Sequence, residues 1–284
     1  MLRLIIGKAG AGKTAAVIEE IRQAVERRQG GCMLLVPEQY SHEAERELCQ
    51  RCGDSLSLYA EVFSFTGLAR RVMQQQGGGA ADFLDKGGRL LCMALALNAV
   101  GSRLRVYQAA QRKAELQAML LRTLNELKTA CVRSWMLSAA AEALGGSLGD
   151  KLQDLSLISA AYDAAVARGH ADPADRLSIL AGQIPDSALG PDTRVYVDGL
   201  IDFTAQERGV LSALLRKGAE LNVCLTVDEL HGDSEIFALS RIAARRLLAE
   251  AKALGIETRI ERMEGDGKAE ALRYFADRMF RYSA

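Results

Sequence analysis

Aromatic residues make up only 5% of this 284-residue chain, and no apolar stretch approaches the ~20 residues of a membrane-spanning helix. Net charge is missing too. Lys+Arg and Asp+Glu stand at 36 each, which excludes a chain-wide attraction for nucleic acid. Any such contact has to come from a local patch or a partner. The apolar start is too short for a signal peptide and opens directly into a glycine-rich segment. The six cysteines lie mostly scattered in apolar segments, as reduced thiols do, so a reducing cytoplasm is expected and no membrane association. Cys49-x-x-Cys52 is the one pair at metal-ligand spacing, and neither a second pair nor a histidine cluster completes a tetrahedral site.

What the chain does have is Gly7-Lys8-Ala9-Gly10-Ala11-Gly12-Lys13-Thr14, directly after the apolar run Leu2-Arg3-Leu4-Ile5-Ile6. This fits the phosphate-loop pattern G-x-x-x-x-G-K-[ST]. A strand ends, backbone N–H groups wrap a polyphosphate, and a helix starts with its positive end toward the anion. Gly7, Gly10 and Gly12 permit close approach, Lys13 supplies a cation for the β- and γ-phosphates, and Thr14 offers a hydroxyl to Mg²⁺. The bland alternative is a glycine turn followed by a stray Lys-Thr.

Length allows one large domain or two modest ones. The first 75 residues read as α/β: strand Leu2–Ile6, a helix from Lys13 to Arg28, strand Met33–Val36, a helix capped by Ser41, strand Val62–Phe65 and a helix capped by Thr66. After the run Gly77-Gly78-Gly79 only helical patterns follow, over 89–100, 108–130, 134–144 and 151–168, and another is capped by Asp172 with Pro173 behind it. Alternation returns with strand Arg194–Asp198, a helix capped by Thr204, strand Leu221–Val227, a helix over 235–254, strand Glu257–Ile260 and a last helix from Lys268. The expected fold is α/β: a P-loop (RecA-like) parallel sheet flanked by helices over 1–84 and 190–284, with an all-helical insert over 85–189.

Asp198, at the end of an apolar strand, is the candidate acid for holding Mg²⁺ beside Thr14, or else an ordinary turn cap. ATP-hydrolysing sites commonly place a Glu next, to orient water. Here Gly199 follows, and Asp202 and Glu207 are four and nine positions on. Bound but poorly hydrolysed ATP is therefore expected, with no catalytic residue assigned. Asp228, after the Leu221–Val227 strand, reads either as a γ-phosphate sensor or as a turn acid.

The loop Gly7–Thr14, Leu35-Val36-Pro37-Glu38-Gln39-Tyr40-Ser41 with Glu45, Val62-Phe63-Ser64-Phe65 with Leu68-Ala69-Arg70, and Val197-Asp198-Gly199-Leu200-Ile201-Asp202-Phe203-Thr204-Ala205-Gln206-Glu207 stand in an order and spacing that resemble the N-terminal region of AddB, one of the two subunits of bacterial AddAB ATP-dependent helicase/deoxyribonucleases. The resemblance spans nearly the whole chain. It implies a helicase-like domain that has lost motor function, works with an AddA-type helicase/nuclease subunit on DNA, and serves double-strand break repair by recombination. It also implies scanning of single strands for the Chi sequence and, at the C-terminus of full-length members several times longer than this chain, a nuclease domain with an iron–sulfur cluster. The six cysteines here do not belong to that cluster.

By position, the resemblance implies DNA contact by Gln39, Ser41 and Phe65, with Phe203 a further candidate. Amides and hydroxyls bond base edges and aromatics stack on unpaired bases, although both phenylalanines also read as core residues. Gly67 stands where relatives tend to carry a larger group. Arg70 and Arg71 are a basic pair for phosphates or a solvated helix face. Two other readings stay open: a stand-alone P-loop kinase or ATPase, and a structural subunit whose loop is vestigial.

Overall fold

The computed structural model describes residues 1–76, 83–108, 113–232 and 235–265, with 272 and 274 beyond them. Contacts divide the chain into two compact units. One comprises Met1–Leu68, Ile184–Phe203 and Leu211–Ala284, the other Ala69–Gln183 and Thr204–Val210. The run Gly77-Gly78-Gly79 and the helix expected from Lys268 lie outside the described residues.

The first unit is built on a six-stranded, all-parallel sheet, so the expected α/β fold is present. Its strands are β1 (Leu2–Gly7), β2 (Cys32–Leu35), β3 (Ala60–Phe63), β4 (Arg194–Val197), β5 (Glu220–Thr226) and β6 (Thr258–Arg262). The spatial order is β3-β2-β4-β5-β1-β6. The inner strands are continuous apolar runs because helices cover both sides of a parallel sheet. One face packs Ile5, Leu34, Tyr196 and Cys224 against Val17, Ile18 and Ile21 of α1 (Lys13–Glu26), with Leu48 of α2 (Ser41–Cys52) and Leu56 of α3 (Leu56–Tyr59) in the same cluster. Period-two neighbours on the strands, Leu4, Val195, Val197 and Val223, are as fully buried.

Two expected caps move. Ser64, not Thr66, starts α4 (Phe65–Gln75): Gly67 N–H donates to Ser64 Oγ at 3.1 Å and Leu68 N–H to Ser64 O at 2.9 Å. This ends β3 at Phe63, two residues early. Thr66 instead donates its hydroxyl to Glu38. Ser41 is not a cap either. A 3₁₀ turn, Glu38–Tyr40, precedes α2, and Ser41 Oγ donates back to Glu38 O at 2.9 Å.

The second unit is helical: α5 (Lys86–Val100), α6 (Ala114–Thr129), α7 (Ser134–Leu144), α8 (Gly146–Val166) and α9 (Arg176–Gln183). Met93, Leu97, Leu120, Leu124, Ile158 and Tyr162 form its core. Asp172 caps the turn before α9 as expected, accepting from Ala174 N–H at 3.0 Å. Helices α10 (Ala205–Arg216) and α11 (Ala238–Ala253) follow β4 and β5, and α11 packs on β1, β5 and β6. Among the described residues no helix is long and apolar enough to cross a membrane.

Candidate functional site

In a parallel sheet all C-terminal strand ends lie along one edge, so the turns that follow β1, β2, β4 and β5 share it. The register puts Gly7 opposite Thr226, while Val197 stands between Leu35 and Val223. Asp198 N–H donates to Leu35 O at 3.0 Å, carrying the pairing one residue past β4. Asp198 thereby keeps the period-two position after Tyr196, whose ring packs among α1 residues. That brings its carboxylate to the start of α1.

The glycine-rich loop reaches the same place from β1. Gly10 (φ 83°) and Gly12 (φ 89°) take left-handed backbone that a Cβ would strain. Lys13 and Thr14 open α1, whose first turn carries no acidic residue. Its positive end therefore has no side chain of opposite charge within that turn. Lys13 folds back over its own loop, donating to Gly7 O at 2.8 Å and Lys8 O at 2.9 Å. Burial pulls its ammonium below the ordinary lysine value, while the nearby Cys224 and Asp198 act in the opposite direction. Thr14 Oγ1 donates to Asp198 Oδ2 at 2.6 Å. Two side chains 184 positions apart thus meet.

These residues border a cavity of about 500 Å³ lined by Ala9, Gly10, Gly12, Lys13, Thr14 and Asp198, and closed by Gly199, Ile201, Cys224, Thr226 and Glu47. Gly199 is left-handed (φ 78°), and a Cβ there would meet the Pro37 ring at 3.2 Å. A second cavity of about 330 Å³ shares Thr14, Glu47, Asp198 and Gly199 and extends to Pro37, Tyr40, Glu43 and Ala44. Burial together with the Asp198 carboxylate pushes the Cys224 thiol far up, so it stays a neutral wall. On the far side of the loop, a Cβ at Gly7 would lie 2.7 Å from Met263 O.

The other sequence candidates fall variously. Gln39 is exposed in the 3₁₀ turn after β2, and Ser41 is half-buried beside it. Phe65 and Phe203 are buried, at 6% and 2% exposure. A Cβ at Gly67 would lie 3.4 Å from Ser64 Oγ and 3.6 Å from Phe63 Cδ1, so a single methyl group is accommodated there. Asp202 accepts from Phe203 N–H at 2.7 Å, and Glu207 is bound into the Thr204 cap, accepting from its N–H at 2.8 Å and its hydroxyl at 2.9 Å. Asp228 faces Arg241 at 3.8 Å and accepts from Glu229 N–H, while Thr226 two residues earlier lines the cavity. Cys49 and Cys52 are free thiols, and no group of three metal-ligating side chains occurs among the described residues.

Sequence reading missed Glu47, Cys224 and Thr226. Thr226 could have been found as the last residue of an apolar strand. Nothing in the chain order points to Glu47, which reaches the cavity from the second turn of α2.

A family model described as "ADDB, N-terminal" matches residues 4–277. The B-type subunit of an ATP-dependent helicase/deoxyribonuclease from Desulforudis audaxviator is 35% identical over 266 residues, covering 90% of this chain and 23% of its own length. Its namesake from Pelotomaculum thermopropionicum is 38% identical over 234 residues, covering 80% and 20%. One from Desulforamulus reducens is 33% identical over 236 residues, covering 81% and 20%. The chain therefore spans about a fifth to a quarter of the length of the curated relatives it matches.

Proposed function

This chain belongs to the AddB N-terminal family, and on that premise we propose that it is the ATP-binding, helicase-like part of a DNA helicase/deoxyribonuclease subunit. The observation that carries the nucleotide reading is the convergence of Lys13, Thr14 and Asp198 at one end of the sheet, with Thr14 and Asp198 2.6 Å apart. The fit to a Mg²⁺-nucleotide rests on features of this chain. Two glycines hold left-handed backbone in a loop that opens a helix, the adjoining cavity holds about 500 Å³, and its polar side chains include a lysine ammonium, a hydroxyl and a carboxylate. Mg²⁺, when bound, would offset phosphate charge and orient the terminal phosphate.

The chain's own residues then have separable tasks. Lys13 leaves Gly7 O and Lys8 O for the polyphosphate, a neutral-to-charged exchange of acceptors that favours the anion. Thr14 would hold the cation through its hydroxyl oxygen, and Asp198 would accept hydrogen bonds from the cation's water. No acid stands at Gly199 to orient a water for attack, so turnover is slow. Single-stranded DNA runs past Gln39 and Ser41, which follow β2 at the same sheet edge. Stacking on Phe65 or Phe203 would require those rings to leave their packing.

In this reading the complete protein pairs with an AddA-type helicase/nuclease subunit, scans for Chi and serves double-strand break repair. The relatives are each named as one subunit of a larger enzyme, which supports a partner. The iron–sulfur cluster belongs to sequence outside these residues, and free thiols suit a reducing cytoplasm.

Calorimetric titration of ATP·Mg²⁺ tests the core of this. The unmodified chain should bind, and Lys13→Ala should lose affinity by tenfold or more. No binding by the unmodified chain favours a vestigial loop and a docking role. Robust ATP turnover that Asp198→Ala abolishes would overturn slow hydrolysis, and rapid phosphoryl transfer to a small molecule would favour a kinase.

A further inference from the structure

Glu47 is the acidic side chain at the cavity that the sequence did not announce. It lines both the cavity beside the glycine-rich loop and the smaller one that adjoins it, and in both it stands with Thr14 and Asp198. Glu43, one helical turn earlier on the same face, lines only the smaller one. The position is fixed by packing: the next residue, Leu48, is fully buried in the cluster between α1, α2 and the sheet. Glu47 therefore projects from an anchored helix, not from a loop.

Its carboxylate accepts from Arg51 at 3.2 Å. Both side chains of this i,i+4 pair are largely open to solvent, at 41% for Glu47 and 50% for Arg51. Such a pair contributes little, so the carboxylate is released at small cost. Mg²⁺ demands six oxygens and keeps several waters, whose protons need acceptors. Asp198 can receive them on the β4 side of Thr14. On the α2 side Glu47 is the acid that lines the same cavity.

We propose, resting on the reading of this cavity as a Mg²⁺-nucleotide site, that Glu47 is a positioning residue for the hydrated cation, accepting hydrogen bonds from its water shell across from Asp198. It acts through water and touches neither phosphate nor base. The 3₁₀ turn bearing Gln39 runs directly into α2, which Ser41 opens and on which Glu47 stands.

The test separates metal from nucleotide. The full chain is saturated with a non-hydrolysable ATP analogue and titrated with Mn²⁺, read by electron paramagnetic resonance. Nucleotide affinity is measured separately in EDTA. Glu47→Gln should weaken Mn²⁺ binding by roughly 10- to 100-fold, the range for outer-shell partners of bound metals. In EDTA the same variant should bind nucleotide as well as the unmodified chain or slightly better, because one negative charge near the polyphosphate is gone. Glu43→Gln should change neither. Unchanged Mn²⁺ affinity in Glu47→Gln, or a parallel loss with and without metal, overturns the assignment and leaves the nucleotide reading standing. Failure of the unmodified chain to bind nucleotide at all overturns both.

Discussion

Lys128 is a buried lysine whose charge is held by its neighbours. Its ammonium is buried in the helical unit, 2.9 Å from Asp163, 3.1 Å from Asp172 and 2.5 Å from Asp175, and lies over the Tyr162 ring. Arg89 contacts Asp172 at 2.9 Å from the other side. Burial by itself would lower the lysine value, yet the carboxylates outweigh it and the net shift is upward. Burial likewise acts to raise Asp172, but the Ala174 N–H and the two cations hold it below the ordinary carboxylate value. Removing one partner of such a set leaves a buried charge uncompensated, so Lys128→Met should lower unfolding free energy by about 3 kcal/mol in urea titrations. The pH dependence follows from the signs. Asp172, depressed on folding, contributes stability above its unfolded value that is lost as pH falls through its folded one. Lys128, raised on folding, contributes below its unfolded value and loses that as pH climbs through its folded one. Unfolding monitored against pH should show a plateau from about 4 to about 9 that falls away at both ends. The alkaline fall should be shallower in the variant but persist, because the raised Cys224 thiol and Tyr162 and Tyr196 hydroxyls still contribute to it.

At the scale of elements, helix starts govern where the functional turns lie. Ser64 ends β3 and caps α4, and its hydroxyl contacts Thr66 at 2.9 Å while Thr66 donates to Glu38. The turn after β2 and the turn after β3 are thereby linked through two hydroxyls and one carboxylate. Ser64→Ala should cost about 1 kcal/mol, the usual value of a lost cap, and Thr66→Ala less because no helical N–H depends on it. Equilibrium denaturation of the two variants ranks them; the reverse order would mean that Thr66 is the true cap. The sequence reading places caps at Thr66 and Ser41 and leaves Ser64 in the strand, because propensity alone does not choose among neighbouring hydroxyls. Hydrogen-bond geometry does.

For the whole molecule the absence of net charge sets the expectation for nucleic acid. Counterion release from phosphates needs clustered Lys and Arg, and this chain has 36 of each sign. Single-stranded DNA should bind the isolated chain more weakly than about 1 μM at physiological salt, with a shallow dependence on salt. Fluorescence anisotropy giving low-nanomolar affinity would contradict this.

Strand–helix alternation, the helical middle section and the glycine-rich loop are legible in the order of residues, because each is a local pattern: apolar period, turn chemistry, or a spacing of a few residues. Asp198 is located by the same logic, as the polar end of an apolar strand. What meets what is settled only by folding. The strand order inserts β5 between β1 and β4, so Cys224 and Thr226 line the cavity although the loop and Asp198 lie on other strands. Packing of Leu48 anchors the helix from which Glu47 lines the same cavity as Thr14. The buried state of Phe65 and Phe203 was also undecided by sequence, since an aromatic at a strand end serves a core or a surface equally well until its neighbours are known. The loop's composition is local information, whereas the side chains that complete the cavity come from distant parts of the chain and converge only when the sheet closes its order.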